Sequence, residues 1–239
     1  MKATERHQLK QNEFAMTTGK VVDTLQENRK RVLQILVAAV VLVGIVGGVL
    51  YWRKVQADRA GAALGVAIAT AESAVAPAPT LPGSSQPAGT FPSERARAEA
   101  AILAFTDVSN KFSGTPAGIA ATYHLASELL NSGQAEQAEQ TFRKVVDSGS
   151  HLYAPLARLG IAQAQAGAGK ADQAVTTLTE LAAIRDGLVP VDAVLMELGR
   201  TQLKAGKTAE ARTVFKRVVD EFPSSTYLSE AQSRLDTLE

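Results

Sequence analysis

Residues 133–147 read GQAEQAEQTFRKVVD, and two later stretches, GKADQAVTTLTELAA at 169–183 and GKTAEARTVFKRVVD at 206–220, repeat their pattern. The starts of these stretches are 36 and 37 residues apart. Superposition aligns a glycine, then an alanine, then a large apolar residue: Gly133, Gly169 and Gly206; Ala138, Ala174 and Ala211; Phe142, Leu178 and Phe215. A period of this length indicates stacked structural repeats.

Each of these stretches follows an apolar segment of helical character, IAATYHLASELLNS, PLARLGIAQAQAGA or DAVLMELGRTQLKA. A small residue lies twelve positions before each aligned alanine: Ala126, Ala162 and Gly199. The pattern predicts a helix that ends at the glycine and a second helix that starts there. Small residues at fixed points would let the two helices cross closely while the large apolar residue fills the space beyond.

This arrangement resembles the tetratricopeptide repeat, and the third unit matches it best through Gly199, Ala211, Phe215 and Pro223. The sequence departs from the family where an aromatic residue is usual, at Leu129, Gln165 and Gln202. The resemblance implies an all-α fold, a tetratricopeptide-like α-solenoid of helical hairpins over residues 93–239. Its last stretch, TYLSEAQSRLDTLE, would be a C-terminal cap helix.

An incomplete unit precedes the three repeats. AILAFTDVSNKF (101–112) parallels ARTVFKRVVDEF (211–222), which places Phe105 opposite Phe215. Residues 55–76 could supply the first helix of this unit, either as a continuation of the preceding helix or as a separate one. The segment 77–92 holds five prolines and cannot form a helix, so we expect an extended, mobile loop or linker there.

Val32 to Trp52, VLQILVAAVVLVGIVGGVLYW, is 21 residues long and carries no charge. A helix of this length rises roughly 31 Å, which matches the ~30 Å hydrocarbon core of a bilayer. Basic residues flank it on both sides, and Tyr51 and Trp52 stand where interfacial aromatic residues are enriched. The stretch is predicted to be a single transmembrane helix rather than a buried core helix.

The flanking charge predicts the orientation of this helix. Seven Lys or Arg residues precede it and three follow closely, which favours a cytoplasmic N-terminus and a repeat domain outside the cytoplasm. A cleaved signal peptide would have a shorter apolar run and small residues at its exit. Residues 1–31 are expected to form a cytoplasmic segment, as a weakly amphipathic helix or as a disordered basic tail.

The predicted segments are therefore 1–31 (cytoplasmic), 32–52 (transmembrane), 53–76 (membrane-proximal helix), 77–92 (Pro-rich loop or linker) and 93–239 (repeat domain). Within the span, Gly44 and Gly48 form a GxxxG pair that would let another helix approach closely. Residues 93–239 carry 15 basic and 18 acidic side chains, so we expect no nucleic-acid partner.

The sequence predicts no enzyme, no metal site and no cofactor. It contains no cysteine, and its three histidines have no metal-ligand spacing. Neighbouring carboxylates such as Glu136 and Glu139 are expected to be solvated on helix surfaces. His124 and His151 are interpreted as packing or surface residues. No small-molecule substrate is expected.

The concave face of a solenoid, lined by the first helix of each pair, is the candidate binding surface. The resemblance places ten residues there, as a groove for an extended peptide or partner helix: Tyr123, Ser127, Leu130, Asn131, Leu159, Gln163, Met196, Arg200, Leu203 and Lys204. Ala166 was the remaining inward position of the second unit.

The basic N-terminal segment with ERHQLKQNE, the single span and the divergent repeats together resemble the YfgM family of inner-membrane proteins. The resemblance implies a non-enzymatic ancillary subunit of the Sec translocon that links it to periplasmic chaperones. The alternative is a structural accessory subunit of another membrane complex, docked through Gly44 and Gly48. In both cases the partners are proteins.

Overall fold

The structure, a computed structural model, describes residues 29–77, 85–185 and 187–238, and the side chain of Val32 is not among those described. The expected helix or tail of the N-terminal segment lies almost entirely outside these residues. The chain divides into two compact units, Met1–Val55 and Gln56–Glu239.

The long helix α1, Arg29–Ala71, contains the whole apolar stretch. It has 43 residues, and its apolar side chains from Leu33 to Trp52 are at least half exposed. Length and composition alone make it able to cross a membrane. The sequence left open whether the helix continues beyond the aromatic residues, and the structure continues it to Ala71 without a break.

The second unit contains the C-terminal part of α1 and all the other described elements. Two short strands are β1, Ala74–Val75, and β2, Thr90–Phe91, which pair in parallel. The helices that follow are α2 Glu94–Lys111, α3 Pro116–Asn131, α4 Ala135–Asp147, α5 Tyr153–Gly167, α6 Ala171–Ala182, α7 Val191–Lys204, α8 Thr208–Glu221 and α9 Leu228–Thr237. Successive helices pack on one another, as the predicted solenoid of helical hairpins requires.

The incomplete first unit is a helical pair made by the end of α1 and α2. Ala67 of α1 is buried with Phe105 and Val108 of α2, and Ala121 of α3 completes this apolar cluster. The described ends of the Pro-rich segment are tied together by the β1–β2 pairing, with the N–H of Ala76 donating to the carbonyl of Phe91 at 2.9 Å. The sequence did not predict this pairing, because two-residue strands leave no periodic pattern.

The aligned glycines end the first helix of each repeat with the same hydrogen-bond pattern. Gly133 has φ of +77°, a conformation that glycine adopts without steric cost. Its N–H donates to the carbonyl of Leu130 at 3.0 Å, and the N–H of Gln134 donates to that of Leu129 at 2.8 Å. These are the two bonds of a Schellman motif. The same pair of bonds recurs at the other two glycines, so all three helical pairs turn alike.

The core follows the aligned columns of the sequence. Phe142, Leu178 and Phe215 are at most 2% exposed, and the small residues Ala126 and Ala162 are fully buried. The buried apolar residues of the repeats form two clusters, one around Phe142 and the other around Phe215. Small residues in the first helix of a pair therefore accept large apolar residues from the second, as the spacing predicted.

Glu139 corrects one expectation, because it is buried rather than solvated on a helix surface. Its carboxylate accepts hydrogen bonds from Arg143 at 2.6 Å, from Lys170 at 3.0 Å and from Gln165 at 3.2 Å. Desolvation alone would raise the pKa of Glu139, but these three donors outweigh it and hold the pKa at about 2. The network joins α4, α5 and the turn before α6.

Candidate functional site

Six of the ten predicted binding residues line one cavity of about 170 Å³ between α3 and α5. They come from two successive repeats. We call this cavity the central groove and define it by its lining residues: Tyr123, Ser127, Leu130, Asn131, Phe142, Leu156, Leu159, Gly160 and Gln163. Residues distant in the sequence, on α3 and on α5, thus face one another across a shared space.

Helical spacing explains why these side chains converge. On α3, Tyr123, Ser127 and Leu130 are separated by four and three positions, so they share one face of the helix. On α5, Leu159 and Gln163 are four positions apart and face the same cavity. The regular stacking of helical pairs turns the two faces toward each other, so the groove is a direct product of the repeat.

Aromatic rings form one wall of the groove. The ring of Tyr123 lies 5.7 Å from that of Phe142 at 62°, an edge-to-face arrangement, and 5.3 Å from that of Tyr153. The ring of His124 stacks on Phe105 with centroids 5.3 Å apart and planes at 17°. The two contacts of Tyr123 orient its ring, so that the rings of Tyr123 and Phe142 give this side of the groove an aromatic surface.

The central groove carries no charged side chain. Burial raises the pKa of Tyr123, and the nearby Ser127 opposes this only in part. Burial also lowers the pKa of the adjacent His124, against a weaker opposite effect of Glu72. Both side chains are therefore neutral near neutral pH. What the groove offers is apolar surface with a hydroxyl and amides at its edges.

The third repeat departs from the predicted binding face. Met196 was expected to face a ligand, but it is fully buried in the apolar core with Phe215 and is unavailable to a partner. Arg200 is held by Glu230 of α9 through two hydrogen bonds of 3.1 and 2.5 Å. The cap helix α9 thus lies against the face of α7 that carries Arg200.

The remaining two residues of the third repeat do not join the central groove. Leu203 is partly buried against the core, and Lys204 is exposed at the end of α7. Ala166, the further inward position, is half-buried at the end of α5 and does not line the groove either. The six predicted residues that share the central groove thus all belong to the first two repeats.

Three residues that line the groove were missed by the sequence analysis: Phe142, Leu156 and Gly160. Leu156 lies one turn before Leu159, so helical periodicity alone could have found it. A Cβ on Gly160 would lie 2.5 Å from the ring of Phe142, so only glycine leaves room for that ring. No sequence signal indicated this contact, because the two residues belong to different repeats.

Metal-binding chemistry has no visible basis in the described part of the chain. Among residues 29–77, 85–185 and 187–238, no group of three His, Asp or Glu side chains could hold a metal ion. The strongest ionic cluster, at Glu139, is closed by its own donors and joins structural elements.

Comparison with known proteins agrees with this fold. Residues 26–239 match the family described as a tetratricopeptide repeat-like domain. Two crystal structures of nearly identical TPR-like repeats of a Podosopora anserina kinesin light chain, one of them a variant, superpose with a TM-score of 0.53 at 18% identity. They cover 61% of this chain and 78% or 79% of their own. No curated protein matches the chain.

The fold defines the class of this protein as a tetratricopeptide-like α-solenoid. Proteins of this class are typically non-catalytic scaffolds for protein interactions. The chain belongs to the tetratricopeptide repeat-like domain family. At 18% identity, the two crystal structures support the fold alone.

Proposed function

We propose that this protein is a non-enzymatic, membrane-anchored scaffold whose central groove binds extended polypeptide segments at the periplasmic face, near the Sec translocon. The observation that carries the proposal is the convergence of side chains from two successive repeats on one uncharged groove. The fold supports it, because tetratricopeptide-like solenoids are typical scaffolds for protein partners. The segments bound would belong to emerging polypeptides or to chaperones.

The chemistry of the groove suits a peptide. Leu130, Leu159 and the ring of Tyr123 give apolar surface, and the exposed amides of Asn131 and Gln163 can donate to and accept from a peptide backbone. A cavity of about 170 Å³ is smaller than the ~300–1,000 Å³ that small-molecule sites occupy. It has the size to take a single apolar side chain.

The membrane anchor supports this interpretation through effective concentration. The basic flank before the apolar part of α1 favours a cytoplasmic N-terminus, which would place the repeats outside the cytoplasm. A groove tethered at the membrane surface meets nearby polypeptides at high effective concentration, so weak contacts suffice. Protease added to spheroplasts should digest the repeats, and protection of the repeats would contradict the proposed orientation.

Purification of the intact protein from mild detergent extracts tests the proposed partners. Wild-type protein should recover translocon components or periplasmic chaperones. These partners should not be recovered with either of two groove variants, Leu159→Gln or the surface change Gln163→Lys. Gln173→Lys is the matched control, because Gln173 is exposed on α6 and lies outside the groove. Equal recovery by all four proteins would contradict binding through the groove.

The second candidate is a structural accessory subunit of another inner-membrane complex, docked through its membrane helix. Apart from the adjoining turns of the helix itself, no residue that the structure describes lies within 4 Å of a Cβ at Gly44 or at Gly48, which leaves this side of α1 open to a neighbouring helix. This candidate requires that partners still co-purify when the groove is altered and no longer co-purify when Gly44 and Gly48 are replaced.

A further inference from the structure

A cavity of about 740 Å³ lies beside the central groove, between α2 and α3. We call it the α2–α3 pocket, and its charged lining residues are Glu94, Arg95, Arg97, Glu99 and Glu128. Ile102, which is partly buried against the core, gives it apolar surface. Unlike the central groove, this pocket is therefore charged.

The charges of the pocket do not balance. Arg97 pairs with Glu94 at 2.6 Å, and Arg95 pairs with Glu99 at 2.8 Å, both within α2. Residue Glu128 is half-buried, and its carboxylate has neither a hydrogen bond nor an ion pair with any residue that the structure describes. The pocket thus keeps one uncompensated negative charge, on α3. An unpaired carboxylate attracts a cation from outside.

The α2–α3 pocket and the central groove meet along α3. Asn131 lines both, and Ser127 of the groove directly precedes Glu128 of the pocket. Neighbouring positions on a helix point about 100° apart, so Glu128 lies just around α3 from the groove face. A chain that leaves the groove across Asn131 therefore enters the pocket beside this carboxylate.

We infer that Glu128 selects a basic side chain of the bound segment, within about three residues of the apolar side chain held in the groove. Three extended residues span roughly 10 Å, about the length of α3 that carries both surfaces. The partner is thus an extended segment with a leucine-like anchor and a nearby Lys or Arg. The inference rests on the proposed function, since it assigns specificity to the same bound segment.

Binding of designed peptides to the full-length protein in nanodiscs tests the inference. The fluorescein-labelled peptide GSKALAKSG carries a lysine on both sides of the leucine, so either chain direction brings a cation toward Glu128. GSQALAQSG is its neutral counterpart, and GSEALAESG is its acidic counterpart. Fluorescence anisotropy at low ionic strength should show the lysine peptide binding about three- to tenfold tighter than the neutral one.

Substitutions of Glu128 give the decisive comparison. Glu128→Gln should abolish the preference for the lysine peptide without weakening the binding of the neutral peptide. Glu128→Lys should make the protein prefer the acidic peptide. Glu136→Gln is the control, because Glu136 is exposed on α4 and lines neither cavity. It should keep the wild-type preference.

Two results would overturn the inference, and they are distinguishable. In the first, Leu159→Gln and Gln163→Lys weaken binding of both the lysine and the neutral peptide, but the wild-type protein binds these two peptides equally well or keeps its preference for lysine after Glu128→Gln. Only the role of Glu128 is then wrong. In the second, neither the lysine nor the neutral peptide binds the wild-type protein, or the groove variants bind the peptides as tightly as the wild-type protein. The proposed function then fails together with the inference.

Discussion

Gly199 on α7 leaves the space that the ring of Phe215 on α8 occupies, and a Cβ at Gly199 would lie 2.6 Å from Cε1 of that ring. Phe215 is completely buried, so its ring cannot move aside. The contact joins the two helices of the third repeat at the aligned small and large positions. The packing that the repeat pattern implies therefore depends here on the absence of a single methyl group.

Gly199→Ala is expected to destabilise the repeat domain by about 1–3 kcal/mol, because overpacking outweighs the better helix propensity of alanine. Urea unfolding followed by far-UV circular dichroism measures the change. Gly65→Ala is the matched control, since Gly65 is also helical but a Cβ there meets nothing within 4 Å. The control should be neutral or slightly stabilising, and a similar loss in both variants would show that the contact with Phe215 is not what destabilises Gly199→Ala.

The Glu139 network should make stability depend on pH. Because the folded pKa of about 2 lies below the ordinary value of 4.5, the carboxylate stabilises the fold above about pH 4.5. This contribution, on the order of 1–3 kcal/mol, is lost as the pH falls through about 2. Glu139→Gln should therefore be less stable than wild type near pH 7, and the difference should vanish near pH 2.

The control for this network is Glu136→Gln, which changes an exposed carboxylate on the same helix. It should leave the unfolding free energy nearly unchanged at both pH values. A difference between wild type and Glu139→Gln that persisted at pH 2 would show that the ionised carboxylate is not what stabilises the network.

The ion pair between Arg200 and Glu230 should hold α9 on α7. Both side chains are about one-third exposed, so solvent screening limits their coupling to about 0.5–1 kcal/mol. A double-mutant cycle with Arg200→Ala and Glu230→Ala measures this coupling free energy, which should fall in high salt. Strictly additive losses would mean that apolar contacts around Ala231 alone fix the cap helix.

The pair Gly44 and Gly48 of α1 gives a prediction that separates the two candidate functions. If the protein is an accessory subunit docked through α1, Gly44→Leu combined with Gly48→Leu should abolish co-purification of its partner. Groove variants such as Gln163→Lys should retain it. The scaffold function predicts the opposite pattern, so detergent extraction and stoichiometric co-purification distinguish them.

Much of this architecture could be predicted from sequence, because stacked repeats make local pattern and tertiary contact coincide. The aligned positions that contain Gly133 and Phe142 indicate where a helix ends and which side chains are buried. These two features largely determine a helical hairpin. The central groove followed for the same reason, since its residues share helix faces at regular spacing. The family-level match over residues 26–239 agrees with that prediction.

The missed features arise from contacts between repeats or from outside the repeat pattern. Glu139 reads as a surface charge on α4, and only the stacking of α5 and α6 brings Gln165 and Lys170 onto it. Met196 follows the register of a binding face, yet it belongs to the buried core cluster around Phe215 and has no exposed surface. Such contacts depend on which neighbour a helix meets, which periodicity does not encode.

In the proposed function, the groove between α3 and α5 binds polypeptide at the membrane. Photo-cross-linking in living cells tests it directly, with a photoreactive amino acid replacing Gln163 in the groove or Gln173 on α6 as the control. Both positions are exposed glutamines in neighbouring helices. Cross-links to translocated polypeptides, translocon components or chaperones should form from position 163, should be lost when Leu159→Gln is added, and should be absent from position 173. Equal cross-linking from both positions, or cross-links from 163 that persist with Leu159→Gln, would contradict the account.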